Sequence, residues 1–183
     1  MTNLYRAALD DLGRVFARID DAAVADAVAD IAAAGRIALY GVGREGLQIR
    51  GLAMRLFHLG LRAAVVGEMT APPIGAGDLL IVSAGPGGFS TVDALLGVAH
   101  GAGARTLLVT AQPGGSASRL ADRVLTVPAQ TMADDGGPSA SVLPMGSLFE
   151  GAAFILFEVM ILKLRDRLGV TPDAMRANHT NLE

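Results

Sequence analysis

The sequence predicts an α/β fold: a three-layer, doubly wound sheet of five parallel strands, with N-terminal helices and a long C-terminal helix. Three observations carry this. Five short apolar runs, at residues 37–40, 63–66, 79–82, 106–109 and 124–127, are bounded by Gly, Pro or Asp, as strands buried on both faces should be. Stretches of helical period separate most of them, and strand–helix–strand alternation needs crossovers, hence parallel pairing. A final helical stretch is apolar on every side, so it must be buried on every side.

The elements follow in order. Leu4, Ala7, Ala8, Leu12, Val15 and Phe16 recur at helical spacing, and Ala22, Val24, Val28 and Ile31 continue in a second helix. Gly35 is placed to end that helix as a C′ glycine. Ile49, Leu52, Ala53, Leu56 and Phe57 make a stripe between the first two strands; Val92, Leu95, Leu96 and Ala99 make one between the third and fourth. Residues 129–144 (AQTMADDGGPSASVLP) form the one long loop. The last major helix spans about residues 147–168. Leu148, Ala152, Ile155, Val159 and Leu162 form one stripe, and Phe149, Phe154, Phe157 and Ile161 occupy the others. In so small a domain its second face calls for another subunit, so a dimer or tetramer is expected. The whole reads as a single domain: a helical hairpin at 1–34, a sheet core at 35–128, and C-terminal helices and tail at 145–183.

Composition excludes several classes of function. Fifteen Lys and Arg stand against 18 Asp and Glu, a net charge of −3. That is the wrong balance for nucleic acid, which needs a basic face. With 51% hydrophobic and 18% charged residues the chain is not disordered. Absence of cysteine removes disulfides, thiolate metal sites and Cys nucleophiles. The N-terminal pattern is amphipathic and contains acids, unlike a signal peptide. The apolar stretch 148–164 is interrupted by Glu150, Glu158 and Lys163 and falls short of the roughly 20 residues of a membrane span. A soluble cytoplasmic protein is the default.

In open parallel sheets, ligands bind beyond the carboxyl ends of the strands. Two turns there are rich in glycine. The first, Gly41-Val42-Gly43-Arg44-Glu45-Gly46, follows the first strand and opens a helix whose N–H groups suit an anion. Its spacing approximates G-x-G-x-x-G, with Glu68 as a downstream acid for a ribose, but it lacks the Lys-Ser/Thr of a P-loop. The plain alternative is a tight βα turn that needs glycine. The second turn runs Ser83-Ala84-Gly85-Pro86-Gly87-Gly88-Phe89-Ser90-Thr91. Ser90 or Thr91 reads as a helix cap, with Asp93 completing a capping box. The functional alternative is a hydroxyl and amide cradle for a small anion.

His58 and His100 precede Gly60 and Gly101 and fit last turns of helices, where a cationic imidazole is favourable. His179 lies in the polar tail RANHTNLE, beyond a helix begun by Thr171-Pro172-Asp173. Glu150 has a plain reading, since Ser147-x-x-Glu150 spells a capping box.

The turn GVGREG, the run AMRLFHLGL, the segment from Val65 to Pro72, the block PMGSLFE and the ending MRANHTNLE resemble the 6-phospho-3-hexuloisomerases. These are members of the sugar isomerase (SIS) domain superfamily. The resemblance runs in order over nearly the whole chain. It implies a flavodoxin-like sheet, a homotetramer, and interconversion of a 3-ketohexose 6-phosphate and fructose 6-phosphate through an enediol. Such chemistry calls for neither a redox cofactor nor a metal. Glu150 matches the family's base, and burial beside Phe149 and Phe154 would raise its pKa. His179 matches a tail histidine that opens the ring or shuttles hydroxyl protons in a neighbouring subunit's site. Arg44 matches an arginine that contacts the sugar or its phosphate.

The resemblance also implies that Gly43, Glu45, Ser83, Gly85, Gly87, Gly88, Ser90 and Thr91 line the substrate site. Here the chain departs from the family, which has Ser at the position of Glu45 and a hydroxyl-rich turn without Pro86. A carboxylate within 4 Å of a phosphate costs roughly 1 kcal/mol even in water, and Pro86 removes an N–H donor. The phosphate site is therefore rebuilt or weakened, while the catalytic pair is kept. Two alternatives to a phosphosugar isomerase follow. One is an isomerase of an altered, non-phosphorylated sugar; the other is a non-catalytic sugar-phosphate-binding module.

Overall fold

The computed structural model describes residues 3–135 and 141–182. Helices α1 (Leu4–Phe16) and α2 (Asp21–Ala32) precede β1 (Ile37–Gly41), α3 (Glu45–His58), β2 (Ala63–Val65) and β3 (Leu79–Ser83). Then come α4 (Ser90–Gly101), β4 (Arg105–Thr110), β5 (Arg123–Thr126), α5 (Ser147–Leu168) and α6 (Pro172–Ala177). Asn3, Asp20 and Thr171 cap α1, α2 and α6 with side-chain oxygens, and Pro172 sits in the first turn of α6, where its missing N–H costs nothing.

The five strands are all parallel, in the order β2-β1-β3-β4-β5. Side chains alternate between two cores, as the pleat requires. Leu39, Ile81 and Leu107 stand in register on one face and pack with α2, α3 and α5; α1 lies against α5. Leu80, Val82 and Leu108 point to the other face, which α4 and a short 3₁₀ turn at Ala117–Arg119 cover. Ile31, Leu39, Ile49, Leu56, Ile81 and Leu107 lose all contact with solvent, and each such burial contributes about 1.5–3 kcal/mol. Among the described residues no helix is long and apolar enough to cross a membrane.

Four local expectations are corrected. Gly35 is not a C′ glycine: α2 ends at Ala32 with Ala33 as its cap, and the Gly35 N–H instead donates to Gly77 O at 2.9 Å. Neither Ser90 nor Thr91 caps α4; the cap position is Phe89, which offers no side-chain acceptor, so no Ser90–Asp93 capping box forms. Ser147 is likewise the first residue inside α5, and the cap is Gly146 in a left-handed conformation. The stripe Leu148, Ala152, Ile155, Val159 and Leu162 also does not share one environment: Leu148 and Ala152 are buried, but Ile155, Val159 (37% exposed each) and Leu162 (50%) face outward with Phe154 (55%). The buried face is built instead from Phe149, Ala153, Leu156, Phe157, Met160, Ile161 and Leu164. The helix is apolar all round, as its sequence requires.

Polar contacts hold the chain on either side of residues 136–140, which lie outside the described residues. On one side Thr131 and Asp134 form a reciprocal capping box around the 3₁₀ turn Met132–Asp134. On the other, Asp11 of α1, only 5% exposed, accepts the Ser141 hydroxyl at 2.6 Å and the Val142 N–H at 2.8 Å.

Candidate active site

The sheet order reverses direction at β1, since its chain continues outward to β2 and then returns to β3 on the other side. The crevice beyond the carboxyl ends of β1 and β3 is where ligands bind in such sheets. Glycine makes the first turn possible: a Cβ on Gly46 would lie 2.6 Å from Gly41 O, so helix and strand can touch only without side chains. Gly43 has φ +57° and forms the left-handed step of the turn.

Above the crevice is a cavity of about 430 Å³. Residues 42–45 of the first turn, Pro86 and Phe89 of the second, residues 131–133, Met145–Gly146, and Phe149–Glu150 of α5 line it. Glu150 enters it from the first turn of α5. Freed from the cap, its carboxylate faces Arg44, with Oε1 3.2 Å from the guanidinium Nε. Burial raises the Glu150 pKa above the ordinary carboxylate range, and the Arg44 charge partly offsets this. Arg44 also donates to Met145 O and, at 3.4 Å, to Ser147 Oγ. Met145 adopts φ +54° and Gly146 φ +79°. A left-handed methionine costs about 1–2 kcal/mol. Its N–H, held by Asp135 at 3.0 Å, and its carbonyl, held by Arg44, keep it there.

Glu45 does not pair with Arg44 or Arg50. It reaches across to the end of β3, where Oε2 accepts the Ser83 hydroxyl at 2.6 Å and the Gly85 N–H lies 3.0–3.1 Å from both carboxylate oxygens. Burial pushes its pKa up; the bonds from Ser83 and Gly85 oppose that, and the charge of Glu150 adds to it. Arg50 instead pairs with Glu68 at 3.0 Å, and neither residue lines the cavity.

The other expected site residues divide. Gly43, Arg44, Glu45 and Glu150 line one cavity, and Ser83 and Gly85 reach it through Glu45. The Gly87 N–H is spent on Ala84 O at 2.9 Å, so it is not a free donor. Gly87 and Gly88 have packing reasons, since a Cβ would meet Gln112 Cβ at 2.9 Å and Ser116 Oγ at 2.1 Å. Ser90 and Thr91 lie exposed on the first turn of α4 and do not line the cavity. His179 stacks on His58, ring centroids 5.1 Å apart, at the far end of α3 from Glu45. Fourteen residues of helix separate those ends by about 20 Å, so His179 lies far from the cavity of its own chain. Residues 131–133 were not singled out in the sequence, although Thr131-x-x-Asp134 carries the capping-box signature that marks an ordered segment.

Comparison with known proteins identifies the family. The SIS domain family model matches residues 30–155. The chain belongs to the SIS domain family. It is 37% identical over 183 residues to a 3-hexulose-6-phosphate isomerase of Mycobacterium gastri, covering all of this chain and 92% of that one. A 3-hexulose-6-phosphate isomerase of Bacillus subtilis is 34% identical over 160 residues, 87% of this chain and 86% of that. Among solved structures, a Methanococcus jannaschii protein inferred to be a 3-hexulose-6-phosphate isomerase superimposes with a TM-score of 0.85 at 27% identity, covering 98% of each chain.

Proposed function

We propose that this chain is a phosphosugar isomerase that interconverts 3-hexulose 6-phosphate and fructose 6-phosphate. The observation that carries the reading is Glu150: a carboxylate free of any capping duty, facing a cavity, with its basicity raised by burial and its position fixed by Arg44. Moving a ketone from C3 to C2 needs one base. Glu150 takes the proton from C2, an enediol forms between C2 and C3, and the same carboxyl returns the proton to C3. The hydroxyl proton passes between O2 and O3. Arg44 lies beside the base, where its charge offsets the negative charge that develops on the enediol oxygens.

His179 enters the reading as a group supplied by a second copy. Its distance from the cavity of its own chain and the outward apolar face of Phe154, Ile155, Val159 and Leu162 support a homo-oligomer, with a tetramer as the family resemblance suggests. There it opens the sugar ring or carries the hydroxyl proton.

One observation favours a second reading. Glu45 already fills the Ser83 and Gly85 donors, which suits an uncharged sugar better than a dianion. Turnover of a panel of phosphorylated and free ketoses tests both: activity on 3-hexulose 6-phosphate supports the first, and activity confined to free sugars replaces it with the second.

A further inference from the structure

The Glu45 carboxylate fills the donors at the end of β3. At the reversal of strand order, the donors offered by the end of β3 are the Ser83 hydroxyl and the Gly85 N–H, and Glu45 takes both. It has little freedom to leave. Its backbone is fixed by the contact of Gly46 on Gly41, and a Cβ on Gly85 would meet Glu45 Oε1 at 2.8 Å and the Phe149 ring at 3.0 Å. Carboxylate, ring and glycine therefore close on the same small volume.

The charges facing it are few. Glu150 comes from α5 and Arg44 from the turn before α3. The end of β3 adds only Ser83 and backbone, and residues 131–133 add Thr131, Met132 and Ala133. Arg44 is committed to Glu150, so two carboxylates and one guanidinium leave this cavity with a net negative charge. A phosphate dianion cannot share donors with an ionised carboxylate on those terms. A neutral carboxylic acid changes the situation, because it gains an O–H donor while keeping a carbonyl oxygen for Ser83 or Gly85.

We propose that Glu45 binds the substrate's phosphate as the neutral acid, taking up one proton from solvent as the phosphate arrives and donating the new O–H to a phosphate oxygen. This rests on the reading of the chain as a phosphosugar isomerase. The balance is one dianion and one proton in, and one O–H bond formed. Glu45 thus does the work of a hydroxyl, but only with a proton, and affinity for phosphorylated sugars becomes a function of pH. The burial and the neighbouring Glu150 charge that raise its pKa make the uptake easier.

Calorimetry of fructose 6-phosphate binding between pH 7 and 8.5, in buffers of different ionisation enthalpy, tests this. A phosphate monoester has its second pKa near about 6, so the ligand is a dianion throughout. The wild-type chain is expected to take up about one proton per ligand and to lose about tenfold in affinity per pH unit. Glu45→Gln, neutral at every pH, is expected to bind without proton uptake, with flat affinity, and more tightly than wild type at pH 8.5. Glu45→Ser should behave the same way. Binding by the wild type without proton uptake overturns the proposal, as does uptake retained in Glu45→Gln, which would place the proton on another group, the phosphate itself or Glu150. A wild type that shows no uptake yet turns over 3-hexulose 6-phosphate leaves the isomerase reading standing and removes this inference alone. Absence of fructose 6-phosphate binding in all three proteins removes both.

Discussion

Glu45 Oε2 accepts the hydroxyl of Ser83 at 2.6 Å, which ties the first residue of α3 to the last residue of β3. A buried carboxylate in such a place affects stability as well as binding. Because its folded pKa lies above its unfolded one, it contributes stability below the unfolded value, and that contribution is lost as pH rises through the folded value. At neutral pH the charge is thus a burden on the fold. Glu45→Gln is expected to raise the melting temperature at pH 7–8, and the difference should shrink as pH falls toward 4.5. Calorimetric melts at several pH values check this; an equal or lower melting temperature at pH 8 contradicts it.

Glu150→Gln tests the proposed base. With Gly146 rather than Ser147 at the cap of α5, glutamine inherits no capping role that could preserve activity. General base catalysis is worth about 10²–10⁴-fold, so turnover should fall at least a hundredfold while the circular dichroism spectrum is unchanged. Retained turnover rejects Glu150 as the proton carrier.

Asp11 sets a different pH window. The Ser141 hydroxyl bond is the main force holding its carboxyl below the usual range; the Val142 N–H and Arg14 assist, against the opposing pull of burial. A depressed pKa gives stability that is present above the unfolded value near 3.8 and is lost as pH falls through the folded value. Asp11→Ala leaves the Val142 N–H without its acceptor and should cost about 1–3 kcal/mol at pH 7. Urea unfolding at pH 7 and at pH 3 measures it. A cost that does not diminish in acid would point to packing rather than charge.

Assembly is tested at α5. Val159→Glu or Leu162→Glu places a charge on the outward apolar face and should split the proposed homo-oligomer, because an unpaired charge is costly to desolvate in an interface. Light scattering gives the mass directly. A wild-type chain that runs as a monomer refutes the assembly and, with it, the placement of His179 in a second copy's site.

The sheet was legible because each strand is a short apolar run closed by a breaker, and the span of α5 because apolar residues recur on every flank of it. Ambiguity began where local patterns compete with distant contacts. Ser90 and Ser147 both spell caps, yet each lies one position inside its helix, because Phe89 and Gly146 take the backbone geometry that starts the helix. Which flank of α5 faces the core could not follow from periodicity, since every flank is apolar. The direction of Glu45 was hidden for a related reason: its nearest charged partners in sequence are Arg44 and Arg50, but Glu150 and Glu68 claim them through the fold.

Three different nitrogens of Arg44 face three different acceptors: Nε the carboxylate of Glu150, Nη1 the hydroxyl of Ser147, and Nη2 the carbonyl of Met145. All three acceptors belong to the seven-residue PMGSLFE stretch that ends in Glu150. The planar fork thus works as a jig, setting the angle at which α5 leaves the left-handed step at Met145 and, through it, the aim of Glu150. A lysine would restore the charge without the shape, because an ammonium on a flexible stem cannot hold three divergent acceptors in one plane. At this position it is the shape, more than the charge, that sets where the Glu150 carboxylate points.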